Sequence, residues 1–89
     1  MVTASLTLIG KPGCHLCDDA RTVVTQVIGD LESRTDAPAL TLDEVSILDD
    51  ASLTAKYAEE IPVLLINGRV HNYWRIDPVR LTNALLELT

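Results

Sequence analysis

The stretch LIGKPGCHLCDDA, residues 8–20, holds both cysteines of the chain, Cys14 and Cys17, at the point where the backbone period changes. Just before it, Ser5–Ile9 alternates apolar and polar residues and closes on Leu8-Ile9, the pattern of a strand. Gly10-Lys11-Pro12-Gly13 then interrupts the ladder, because two glycines and a proline within four residues make a turn. Beyond the turn a 3.6-residue period takes over. Leu16, Cys17, Ala20, Val23, Val24, Val27, Ile28 and Leu31 fall on one helical face, with Thr22, Gln26, Gly29 and Asp30 opposite. The period continues through Gly29, so the helix is predicted to reach about Glu32 despite a cost of ~1 kcal/mol for glycine relative to alanine.

Outward from this unit, residues 33–38 form a polar connection and Leu40–Ile47 reads as a second strand. Asp50 is placed to N-cap a short helix that turns Leu53 and Tyr57 inward. The run Val63–Ile66 is apolar without a break, as in a strand buried on both faces. Asn67-Gly68 is a strong hairpin signal, and Arg69–Trp74 is the returning strand. Asp77-Pro78 opens a last helix, a capping residue followed by proline at the first helical position, with Leu81, Leu85 and Leu88 on one side. The predicted order is β-α-β-α-β-β-α in one domain, residues 1–89. This is an α/β fold with a four-stranded mixed sheet: a parallel right-handed crossover, an antiparallel hairpin, and helices on both faces.

Composition narrows the function classes. A hydrophobic fraction of 47% supplies a core and excludes a disordered chain, and with aromatics at 3% that core must be Val, Leu, Ile and Ala. A net charge of −6 argues against nucleic acid, which calls for basic patches. No apolar run approaches the ~20 residues of a membrane span. Residues 1–10 lack the basic start and long apolar stretch of a signal peptide. A cytoplasmic monomer is expected, and in that reducing compartment two cysteines point to catalysis or metal rather than a structural staple.

The pair has three chemical readings. A zinc site needs about four ligands, yet only His15 and His71 remain as soft donors, and His15 adjoins Cys14 too closely to close a ring around one ion. Two idle buried thiols are the bland reading, since cysteine is often simply core. The redox reading uses position. Cys14 falls where the helix begins, and there unpaired amides and the helix dipole favour an anion; thiolate is the attacking form. Cys17 lies on the apolar stripe. Cys14 is therefore the expected exposed attacker and Cys17 the covered resolving thiol. Lys11 would favour a thiolate and Asp18 oppose it, both weakly, as exposed charges do. His15 reads as a solvent-facing spacer with modest tuning of Cys14, the alternative being a proton carrier.

Three stretches together, LIGKPGCHLCDDA, AKYAEEIPVLLINGRV and RIDPVRLTNALLEL, make the chain resemble the thioredoxin superfamily, and most closely its small glutaredoxin-like branch. The resemblance implies a dithiol–disulfide oxidoreductase acting on protein or low-molecular-weight disulfides. By the same resemblance, Lys11 matches a basic residue before the active cysteine, and Pro62 matches a cis-proline lying against the cysteine pair. The backbone of Ile61 would then pair with substrate as an added strand. His15 is counted with Lys11, Ile61 and Pro62 as a candidate substrate-binding residue. No tightly bound cofactor is implied; glutathione or another low-molecular-weight thiol would be a co-substrate, and a thiol or a flavin-dependent reductase would return the electrons. The chain departs from the pattern at His15-Leu16, where an aromatic is usual, and at Glu60, where a small hydroxyl residue is usual. It departs again at Asn72–Pro78, which replaces the Gly-Gly turn and acidic helix start that hold glutathione. Tyr73 and Trp74 stand there, with Trp74 either a flat contact surface or packing against the last helix. A non-enzymatic redox-responsive adaptor on the same fold is the alternative, and an iron–sulfur or zinc protein the third.

Overall fold

Strand β1 (Thr3–Gly10) lies inside the sheet, and its alternation decides what each face holds. The computed structural model describes residues 3–88; Met1, Val2 and Thr89 of the expected domain lie outside the described residues. Helix α1 (His15–Glu32) follows, then β2 (Ala39–Ser46), a 3-10 turn (Ile47–Asp49), α2 (Ala51–Tyr57), β3 (Val63–Ile66), β4 (Arg69–Tyr73) and α3 (Pro78–Leu86). The sheet order is β2-β1-β3-β4, with β1 and β2 parallel and the other neighbours antiparallel. This is the predicted α/β order with its four-stranded mixed sheet.

Ala4, Leu6 and Leu8 of β1 point to one face, where they meet Ala20, Val24, Val27 and Leu31 of α1 and Leu81 and Leu85 of α3. Leu6, Leu64, Leu81 and Leu85 are completely covered, each burial being worth roughly 1.5–3 kcal/mol. The next residue of β1, Ile9, points the other way. It joins Ile47, Tyr57, Ile61, Val63 and Cys17 in a second, smaller cluster at the end of the sheet that carries α2.

Local chemistry sets the boundaries. Asp50 caps α2 by accepting the Ser52 amide at 2.8 Å, and bonds from Ser52 hold its carboxyl below the usual range. Asp77 caps α3, accepting the amides of Val79 and Arg80 at 2.9 and 3.2 Å. In the hairpin, Asn67 (φ 51°) and Gly68 (φ 82°) both take the left-handed conformation that a two-residue turn demands. Asn67 is also tied to β1, donating its amide to the Ser5 carbonyl at 2.8 Å and accepting the Ser5 amide at 2.9 Å.

Three expectations shift. β2 ends at Ser46, because the Ser46 hydroxyl accepts the Leu48 amide at 3.1 Å and starts the 3-10 turn at Ile47. Leu88 does not face the core: α3 ends at Leu86, and Leu88 is 37% exposed beyond it. The returning strand stops at Tyr73, one residue short of Trp74. In that strand the register slips, with Leu64 opposite Asn72 but Leu65 opposite Val70, so that His71 is an extra, bulged residue. Its Nε2 is buried with no hydrogen-bond partner among the described residues, and burial together with the Arg80 charge pushes its pKa down.

Candidate active site

The turn after β1 delivers Cys14 to the start of α1. Gly13 takes φ +75°, a left-handed conformation that disfavours side chains, and Cys14 itself is extended (φ −96°, ψ 116°). Cys14 is the N-cap. Its Sγ accepts the backbone amide of Cys17 at 3.2 Å, and its carbonyl accepts the Asp18 amide at 3.1 Å, the first bond of the helix. A sulfur thus stands where a hydroxyl or carboxylate oxygen usually caps.

The two thiols differ as the helix period requires. Cys14 is partly exposed, whereas Cys17 is 4% exposed within the smaller cluster, and both are free thiols. Burial, with help from the Cys14 side chain, pushes the Cys17 thiol up to about 11, and the Lys11 backbone only partly offsets this. Cys14 packs on the edge of the same cluster.

Opposite the thiols, the Ile61–Pro62 peptide bond is cis, as the family resemblance implied, and Pro62 is almost completely covered. The Ile61 side chain is buried, while its backbone amide and carbonyl have no hydrogen-bond partner among the described residues. Lys11 and His15 are both on the surface, and neither side chain makes a hydrogen bond or ion pair among the described residues. Lys11 lines a polar cleft of about 400 Å³ with Gly10, Cys17, Asp18, Arg21 and Glu44. The charge of Asp18, one turn from Cys14, is engaged by Arg21 at 3.1 Å, and Arg21 also pairs with Glu44. Among the described residues no group of three or more His, Cys, Asp or Glu is placed to hold a metal, and no helix is long and apolar enough to cross a membrane.

Two residues at this site escape sequence reasoning. Gly10 lies against Cys17: a Cβ added there would sit 2.8 Å from Cys17 Sγ and 3.2 Å from its Cβ. The sequence places Gly10 in the turn after the strand, whereas β1 runs from Thr3 through it, and nothing local names Cys17 as its neighbour. Trp74 is the second. It takes φ +64°, rare for a bulky residue and costly by roughly 1–3 kcal/mol. Its amide donates to the Pro62 carbonyl at 2.8 Å and its indole Nε1 donates to the Glu59 carbonyl at 3.1 Å. Trp74 is thereby tied through its backbone to Pro62 and through its ring to Glu59, while remaining 51% exposed. It is not packed away against α3.

Comparison with known proteins places this geometry. Residues 5–86 match the family model described as a glutaredoxin-like domain (DUF836). Uncharacterized proteins of Mycobacterium tuberculosis and Mycobacterium bovis are 28% identical over 83 residues, spanning 91% of this chain and 81% of theirs. A crystal structure of a structural-genomics target protein from X. campestris superposes with a TM-score of 0.68 at 33% identity, covering 90% of this chain and 93% of that one. A structure described as that of a malarial protein shares the fold, with a TM-score of 0.64 at 16% identity over 96% of this chain and 94% of that one.

Proposed function

The chain belongs to the glutaredoxin-like domain (DUF836) family, and on that premise we propose that it is a dithiol–disulfide oxidoreductase. The observation that carries the reading is the asymmetry of the pair. Cys14 Sγ caps α1 and accepts the Cys17 amide at 3.2 Å, while Cys17 is buried with its thiol pushed up to about 11.

Cys14 attacks first, as thiolate, on one sulfur of a substrate disulfide. The substrate S–S bond breaks, a mixed disulfide forms through Cys14, and the first substrate thiol leaves with a proton from solvent. Cys17 then gives up its proton and attacks Cys14 Sγ, breaking the mixed disulfide and releasing the second substrate thiol. The protein is left oxidised by two electrons as a Cys14–Cys17 disulfide. An external thiol, glutathione or another, or a flavin-dependent reductase returns the electrons. High basicity keeps Cys17 protonated until Cys14 has reacted, which orders the two steps. The backbone groups of Ile61, unpaired among the described residues, are available to an extended substrate segment. Lys11 and His15, also without a side-chain partner among the described residues, border the approach.

The test uses a model disulfide and two variants. Cys14→Ser is expected to remove turnover altogether, whereas Cys17→Ser is expected to accumulate a mixed disulfide visible by intact-mass measurement. Retention of full reductase activity by Cys14→Ser overturns the mechanism; turnover by the unaltered protein no faster than that of a free thiol favours a redox-responsive adaptor instead.

A further inference from the structure

We propose that Leu16, Tyr73, Trp74 and Arg75 form a substrate subsite for a polypeptide that presents an apolar side chain and a carboxylate beside its disulfide. The chemistry at Cys14 rests on the oxidoreductase reading; the subsite rests on separate observations. Leu16, Tyr73, Trp74 and Arg75 line an open recess of about 450 Å³, continuous through Leu16, Trp74 and Arg75 with a smaller one of about 150 Å³. Leu16 lies between the two cysteines in sequence, in the first turn of α1, which ties the recess to the helix that Cys14 caps.

The walls are apolar, yet the core does not claim them. Tyr73 and Trp74 are 45% and 51% exposed, and their rings meet edge to face at 5.0 Å. In a chain whose aromatics are only 3% of its residues, two of the three stand together on the surface. Trp74 holds a left-handed backbone to stand there, secured by its bonds to Glu59 and Pro62. Strain retained at an exposed position, in service of a ring that faces solvent, is the pattern of a contact surface and not of packing.

Charge names the rest of the occupant. Arg21 and Arg34 are spent on ion pairs, but Arg75 has no ion-pair partner among the described residues, including Asp19 across the smaller recess. A free guanidinium at the rim of an aromatic recess, on a chain of net charge −6, suits a carboxylate next to an apolar side chain. The Ile61 amide and carbonyl, unpaired among the described residues, suit an extended peptide backbone. An apolar ligand without a carboxylate would leave Arg75 idle, and a small hydrophilic thiol would leave both rings uncovered.

The experiment compares two synthetic peptides, each with one cysteine blocked as a disulfide with 2-mercaptoethanol. One carries Phe and Glu beside the cysteine, the other Ser and Lys, with bis(2-hydroxyethyl) disulfide as the small reference. The expected preference for the Phe–Glu peptide is about tenfold in kcat/KM. It should fall toward unity in Trp74→Ala, survive largely in Trp74→Phe, and turn toward Lys in Arg75→Glu. Because each ratio is read within one variant, a loss of folded protein cancels. A ratio near one in the unaltered protein, or one unchanged by Trp74→Ala, overturns the subsite, as does complete loss of preference in Trp74→Phe. Failure to turn over even the small reference sinks the oxidoreductase reading but leaves the subsite open to a direct answer. Trp74 is the only tryptophan, so its fluorescence reports binding of the same peptides with serine in place of cysteine. A saturable change with the Phe–Glu peptide alone supports the proposal; equal or absent responses to both peptides defeat it.

Discussion

The two hydrophobic clusters do different work with similar residues. The larger one, between the sheet and helices α1 and α3, is aliphatic throughout and holds the completely covered leucines. The smaller one lies at the end of the sheet near α2 and contains Cys17, with Cys14 at its rim. The first is deep enough to hold the fold. The second is smaller, and Cys14 stands at its rim, so that one sulfur is covered and its neighbour three residues away is partly exposed. The covered leucines and the two thiols thereby belong to different clusters.

Substitutions can break that division or sharpen it. Leu81→Ala, in the larger cluster, is expected to cost about 2–5 kcal/mol in denaturant unfolding, while the disulfide chemistry per folded molecule stays as it was. Loss of chemistry in the folded fraction would show that the clusters are not separable. The next effect is a pH dependence confined to the smaller cluster. Cys17 has a folded pKa of about 11 against an ordinary 9.0, so the buried protonated thiol contributes its full stability below pH 9.0 and loses it as pH rises to about 11. Unfolding measured across that window should show a drop of up to about 3 kcal/mol that disappears in Cys17→Ala. A parallel drop in both proteins would assign the effect to other groups.

Gly10→Ala probes the same cluster from the strand side. Its added methyl meets Cys17 Sγ at 2.8 Å, and relief of that overlap is expected to cost about 1–3 kcal/mol. More tellingly, it moves the resolving sulfur, so the mixed disulfide should persist longer than in the unaltered protein when followed by quenched-flow mass measurement. Normal resolution would mean that Cys17 has room to yield. The smallest effect belongs to the surface: Arg21→Ala removes half-exposed ion pairs to Asp18 and Glu44 and should change stability by less than about 1 kcal/mol.

Much of the fold was legible because its signals are local. The apolar stripe from Cys17 to Leu31, the Asn67-Gly68 turn and the Asp50 and Asp77 caps each depend on neighbours in sequence, and all stand where their chemistry put them. The asymmetry of the cysteines was legible for the same reason, since it follows from the helical period. What stayed hidden depends on distant partners. The approach of Gly10 to Cys17 crosses from a strand to a helix. The hold of Trp74 on Glu59 and Pro62 spans fifteen and twelve residues, and a tryptophan in a left-handed conformation is one that local preference argues against. Leu88 was misplaced because the leucine spacing continues past the last residue that the helix actually keeps.

The bulge at His71 has a consequence for how these molecules behave in a crowd. β4 is an outer strand of the sheet, and Val70 on it is half exposed, the conditions under which strands of different molecules zip together. With His71 inserted, the hydrogen-bonding rhythm of that rim changes partway along its five residues. A straight strand from another molecule can match the rim on one side of the bulge or the other but not across it. The irregularity acts as a guard against fibrous aggregation, built from one surplus residue.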